Sequence, residues 1–277
     1  MGRFAARRFA RGWLSAGAWL VFLGFVLIAA IGPLVVGGDP TRQSTNALAA
    51  IGSPGHLLGT DDLGRDELTR LVHGARPLMV VALLATALAA VLGTALGLAA
   101  GFLGGLLEQV LMRVVDLALA FPPILLIILL VAGSGPGQVS LVIGIGISLA
   151  PGLARLARAL SAREAARDYV LASRLGGTRG PRIMVQEILP NMAGPMLAQV
   201  VMTLSVAAGF AAGLSYLGLG VQPPTPDWGY MVQAGQEFLL TTPSLGLLPA
   251  AATLGFVVAC NFVGDDLRDA LDPRSSS

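Results

Sequence analysis

Apolar residues run almost unbroken over 13–36, then again over 78–100, 114–132, 139–153, 196–214 and 245–263. A bilayer-crossing helix needs roughly 20 apolar residues, so the pattern predicts six membrane spans. The fourth is short because arginines begin at Arg155. The first run is longer than the apolar region of a cleaved signal peptide and lacks a convincing A-x-A site before Asp39, so it is expected to remain as a span. Reading Arg7-Arg8 as a twin-arginine signal would leave the five later runs unexplained. The polar stretch 37–77 holds Asp39, Asp61, Asp62, Asp66 and Glu67 and is expected to be a loop. Within it Asp61, Asp62 and Gly64 suit a tight turn. Its carboxylates lack EF-hand spacing, so Arg65 and Arg70 are their expected partners, not a metal.

Inside the spans, Gly93, Gly97, Gly101 and Gly105 recur every four residues. Such a stripe lets a second helix approach closely, and packing is a simpler use for it than lining a pore. Pro122 and Pro123 remove backbone donors and should kink the third span. Asp116 follows Arg113 by three residues, an (i, i+3) pair at the inner end of that span.

Composition agrees with a membrane chain. Of 277 residues 55% are hydrophobic and 12% charged, with a mean hydropathy of +0.75. Soluble domains carry about 25% charged residues. All 18 basic residues are arginine, which rules out a Walker A lysine and a Schiff-base lysine. With the N-terminus inside, Arg3, Arg7, Arg8, Arg11, Arg113, Arg155, Arg158, Arg163, Arg167, Arg174, Arg179, Arg182, Arg268 and Arg274 fall on the inner side. Only Arg42, Arg65, Arg70 and Arg76 fall outside. Both termini are therefore expected in the cytoplasm. The net charge of +2 and pI near 9.2 reflect these flanking arginines, and no nucleic-acid partner is expected. One cysteine, Cys260, excludes an internal disulfide, and Cys260 and the eight methionines read as apolar filling. No unpaired ionisable residue lies mid-span, which argues against an ion-coupled secondary transporter. His56 and His73 both lie in the first outer loop, so an intramembrane protease is also disfavoured.

The segment SAREAARDYVLASRLGGTRGPRIMVQEILPNMAGP, residues 161–195, is polar and begins free of Gly and Pro. It predicts a helix ending at Gly176-Gly177, where positive φ is needed. A second short helix should run from Pro181 to Leu189, with Pro190 breaking it before the fifth span. On physics alone this is an amphipathic hairpin at the inner membrane surface.

This segment resembles the EAA loop of ABC-importer permeases: E-A-A, three residues, Gly, nine residues, Ile, one residue, Leu-Pro. Leu189-Pro190 sets the register. The motif Gly is then Gly177, the alanines Ala172 and Ser173, and the motif Glu falls at Leu171. Glu187 stands where Ile is usual. The literal string Glu164-Ala165-Ala166 is a decoy, because its Gly position would be Val170. HLLGTDDLGRDELTRLVHGAR before the second span resembles the GTDxxGRDxxSRxxxGAR stretch of dipeptide and oligopeptide permeases. SYLGLGVQPPTPDWGYMV and NFVGDDLRDALDPR resemble the same family's outer loop and C-terminal end. The chain is most similar to the C-type permease subunit of the peptide/nickel ABC importers.

The resemblance implies an all-α polytopic membrane protein with the type I importer permease fold in a bacterial inner membrane. Residues 1–77 would form an N-terminal span and outer loop. Residues 78–277 would form the permease core, with a cytoplasmic coupling loop at about 155–192. It implies a homologous B-type permease partner, two P-loop ATPase subunits and an extracytoplasmic substrate-binding protein, all in membrane lipid. ATP and magnesium would sit on the ATPases; this chain would carry no cofactor, no metal and no catalytic residue. The coupling residues would be Leu171, Ala172, Ser173, Arg174, Gly177, Glu187, Leu189 and Pro190, with Arg174 facing acidic groups on the ATPase. Short peptides are the implied cargo, with nickel or a nickel chelate as the alternative. The outer loop with Pro223, Pro224 and Pro226 would either contact a partner or cap the span ends.

Overall fold

A computed structural model describes residues 2–271, with side chains over 16–270. The side chains of Arg3, Arg7, Arg8, Arg11 and Arg274, assigned above to the inner side, lie outside the described residues. Among the described residues the order is α1 (Gly2–Val36), α2 (Glu67–Leu103), α3 (Gly105–Ala120), α4 (Pro123–Ser134), α5 (Gln138–Ala165), α6 (Asp168–Leu175) and α7 (Gly180–Ile183). There follow a π turn (Met184–Ile188), α8 (Leu189–Tyr216), α9 (Trp228–Gly235) and α10 (Ser244–Leu271). Among the described residues five helices are long and apolar enough to cross a bilayer, and α3 with α4 makes a sixth if that bent pair is one broken span.

Three predicted boundaries shift. The second span starts at Glu67, not at 78, because Asp66 caps it by accepting from Thr69 N at 2.9 Å, and Pro77 is absorbed into the helix. The fourth extends past Leu153 to Ala165, so Arg155, Arg158 and Arg163 stand on a helix and not in a loop. The third is broken outright: α3 and α4 meet at 91°. Phe121 and Pro122 each precede a proline and adopt ψ 137° and 124°, since the following ring excludes the helical region. The 12 residues of α4 rise about 18 Å, short of a roughly 30 Å hydrocarbon core.

The closest packing joins α2 to α5. A Cβ on Gly93 would meet Ala150 O and Leu153 Cβ at 2.7 Å, and one on Gly101 would meet Arg158 O at 2.5 Å. Ser161 Oγ donates to Leu98 O at 3.0 Å across the same seam. The stripe is thus a packing face over Gly93, Gly97 and Gly101. Gly105 lies beyond the end of α2 with φ +61° and meets nothing. Leu98, Ala150, Leu153 and Ala157 line this seam, and Leu78, Ala82, Ile127, Val131, Ile145, Ala207, Leu214, Trp228 and Phe256 form a separate, larger core. α1 joins through aromatics, with Phe22 stacked on Phe256 and Phe25 edge-on to Trp228.

Gly97→Val would drive a side chain into Ala157 Cβ at 2.5 Å. Forcing the pair apart should cost about 1–3 kcal/mol, seen as a lower detergent unfolding temperature. Gly152→Val, on the open face of α5, should leave it unchanged.

Candidate functional site

The hairpin between α5 and α8 carries the predicted site residues. Helix α5 ends at Ala165, Arg167 is extended (φ −80°, ψ 149°), and α6 begins at Asp168. The pattern of residues does not signal the break before α6, but it does signal the break after it. Thr178 N donates to Ser173 O at 3.0 Å and Gly177 N to Arg174 O at 3.1 Å, closing a Schellman turn. Gly177 adopts φ +80°, and a Cβ added there would meet nothing within 4 Å, so its role is conformational.

Pro190 does not break the second helix. The chain runs from Gly180 through the π turn Met184–Ile188 into α8. Leu189 N donates to Met184 O, five residues back. That wider turn removes the clash a proline ring makes with the carbonyl four residues earlier. The fifth span is therefore continuous with the second helix of the hairpin.

Val170 on α6 is fully buried, in a cluster that includes Ile183, Ile188 and Met192. Beside it Glu164, 6% exposed, gathers its neighbours. Tyr169 Oη donates to Glu164 Oε2 at 3.1 Å, Arg163 Nε donates to Oε1 at 3.3 Å, and Arg167 Nε lies 3.9 Å from Oε2. Asn191 Nδ2 donates to Tyr169 Oη at 3.3 Å and to Glu187 O at 2.6 Å. Burial, then the bond to Glu164, pushes the Tyr169 phenol above its ordinary value, so it remains a donor at neutral pH.

The predicted residues divide into two groups. Leu171 and Ala172 are exposed beside Leu175, which is 81% exposed. Ser173 and Gly177 form the turn. The Arg174 guanidinium does not point away but lies over the Phe102 ring of α2, 4.6 Å from its centroid, a cation–π contact. Glu187 and Leu189 are half-buried and Pro190 is exposed. Glu187 Oε2 is a buried atom with no hydrogen-bond partner among the described residues. Sequence reasoning missed Glu164, Tyr169 and Asn191. The signal available was a lone carboxylate flanked by Arg163 and Arg167, in a string that fails the motif spacing.

Charges also tie α3 to α5. Asp116 pairs with Arg155 at 2.6 Å, not with Arg113 as expected, and Glu108 accepts from Arg158 Nε at 2.6 Å. Extension of α5 beyond Leu153 brings these arginines within reach.

At the other end the polar loop closes on itself. Asp61 accepts from Arg65 Nε at 2.6 Å and lies 3.3 Å from Arg70 Nε, the expected arginine partners. Glu67 is 2% exposed, its Oε1 without a hydrogen-bond partner among the described residues. After the proline-bearing loop, Trp228 at the start of α9 is buried and its Nε1 donates to Leu71 O at 2.7 Å. Two helix-capping carboxylates differ electrostatically. Burial would raise the Asp66 carboxyl, but bonds from His56 Nδ1, Thr69 N and Thr69 Oγ1 together hold it below its ordinary value. Burial dominates at Asp227 and raises it, despite bonds from Gly229 N and Tyr230 N.

Residues 93–277 match the family model described as binding-protein-dependent transport system inner membrane component. The chain is 40% identical to the di/tripeptide transport system permease protein DppC of Pseudomonas aeruginosa over 96% of this chain and 90% of that protein. It is 45% identical to the dipeptide transport system permease protein DppC of Escherichia coli K12 over 92% of this chain and 87% of that protein. A solved structure of the MetNI methionine ABC transporter, in an inward-facing conformation, is similar in fold. Its TM-score is 0.58 at 18% identity, over 73% of this chain and 96% of that one.

The two helix-capping carboxylates give opposite pH dependences. Asp66, depressed in the folded state, stabilises above its unfolded value and stops doing so as pH falls through its folded one. Asp227, raised, stabilises at low pH and loses this as pH rises through its folded value. Asparagine preserves either cap. Asp66→Asn should therefore lower the unfolding temperature at pH 7 and converge on the parent in acid. Asp227→Asn should equal or exceed the parent at pH 7, with Trp228 fluorescence as the readout.

Proposed function

The chain belongs to the family of binding-protein-dependent transport system inner membrane components, and from that premise we propose that it is one permease of an ATP-driven importer of short peptides. It is a multi-pass protein of the bacterial inner membrane. Its relatives named for dipeptide and di/tripeptide transport supply the cargo class. Residues 78–277 are the permease core, preceded by an N-terminal span and outer loop. The partners are a homologous B-type permease, two P-loop ATPases that carry ATP and magnesium, and an extracytoplasmic binding protein. Both termini and the α5–α8 hairpin lie on the cytoplasmic side, following the arginines.

One observation carries this reading. Leu171, 56% exposed, and Leu175, 81% exposed, stand on a short capped helix in an arginine-rich segment. Helix α6 buries Val170 inward, and its outward apolar side chains are suited to an ATPase groove. Leu189 and Pro190 join the second half of the hairpin, from Gly180, to α8 without a break. Arg174, on Phe102, holds the hairpin on the bundle, while Ala172 and Ser173 permit close approach. Gly177 lets it end sharply.

Leu171→Glu with Leu175→Glu should abolish co-purification of the ATPases while the permease pair stays intact, and ATP-dependent uptake of a labelled dipeptide should fall with it. Undiminished ATPase binding would overturn the docking surface. Undiminished uptake by the parent complex in ATP-depleted cells that keep a proton gradient would overturn the ATP-driven importer.

A further inference from the structure

Docking does not by itself move a span. Helix α6 is bounded by non-helical joints, Ala166–Arg167 before it and Gly176–Gly177 after it. A helix of 8 residues hung between two such joints can rotate when pushed, dissipating the displacement. Something besides the backbone must fix it to the helices on either side. Val170 contributes burial, but apolar contact is non-directional.

Direction comes from three polar side chains on three elements. Glu164 stands in the last turn of α5, Tyr169 in the first turn of α6 and Asn191 in the first turn of α8. The Tyr169 hydroxyl joins the three helices: it donates to Glu164 Oε2 at 3.1 Å and accepts from Asn191 Nδ2 at 3.3 Å. The same Asn191 amide donates to Glu187 O at 2.6 Å, which seats it on the π turn. Arg163 and Arg167 flank Glu164. The outward residues Leu171 and Leu175 take no part in this network.

We infer that Tyr169 is a positioning residue for energy coupling: its hydroxyl, held between the Glu164 carboxylate and the Asn191 amide, locks α6 to α5 and α8 so that ATPase movement reaches the spans. This rests on the reading of α6 as the ATPase-docking helix. The network makes docking and transmission separable: Leu171 and Leu175 receive the movement, and Glu164, Tyr169 and Asn191 pass it on.

The test is reconstitution of the full complex with its binding protein in liposomes, measuring dipeptide uptake and ATP hydrolysis together. Tyr169→Phe removes only the hydroxyl. It should keep ATPase co-purification and hydrolysis within about twofold of the parent while uptake per ATP hydrolysed falls about tenfold, inside the ordinary range of coupling free energies. Glu164→Gln retains an acceptor for the hydroxyl and should couple better than Glu164→Ala. Parental uptake per ATP in Tyr169→Phe would overturn the inference, as would loss of ATPase binding in parallel with uptake, which marks a merely structural role. A parent complex that binds no ATPase, or imports without ATP, would overturn the docking reading and this inference with it. Parental coupling in Tyr169→Phe overturns the brace alone.

Discussion

The α2–α5 seam is the constraint on which the rest of the molecule depends. Lipid offers little hydrophobic gain for pressing two helices together, so association rests on van der Waals contact and on how closely the backbones approach. Gly93, Gly97 and Gly101 remove the side chains that would hold them apart, and Ala154 and Ala157 face them from α5. Because the contact is backbone against side-chain stub, it has almost no slack. The C-terminal end of α5 is therefore fixed in direction and height relative to α2. Arg155, Arg158 and Glu164 inherit their positions from that placement.

The hairpin is built outward from this fixed end. Phe102, at the C-terminal end of α2, supplies the surface under Arg174, and Glu164, at the C-terminal end of α5, supplies the acceptor for Tyr169. Without the seam these two helix ends would have no set spacing. The π turn solves a different problem. Pro190 would ordinarily end a helix, yet the chain runs on helically from the hairpin into α8. An inserted residue in the turn before it reconciles the two.

Polar groups at the two ends of the bundle do different jobs. On the arginine-rich side, charges link separate helices: α3 to α5 through Asp116 and Glu108, and α6 to α5 through Glu164. These contacts are partly exposed, and exposed ion pairs contribute little to stability. On the other side Asp61, Arg65 and Arg70 are buried together, where removing a single partner would strand a charge. That end is a clamp, tightened by Trp228 against α2 and α1.

The apolar runs by themselves determined that the chain is a helical membrane protein of about six spans, since span length follows from bilayer thickness. The glycine spacing announced the packing face, and Pro122-Pro123 announced the broken third span. Leu189-Pro190 and Gly177 located the hairpin, and Asp61 was legible as an arginine-bound turn. Local signals reach that far because caps, turns and periodicity act within a few residues. What only the tertiary structure decided involves groups distant in sequence or backbone adaptation: Arg155 displacing Arg113 as the partner of Asp116, Arg174 settling on Phe102, and Pro190 continuing a helix. The same holds for Glu164, whose string fails the motif count although its carboxylate receives Tyr169 and sits between two arginines. A motif spacing records which residues a family repeats. It does not record which side chains meet once three helix ends are brought together.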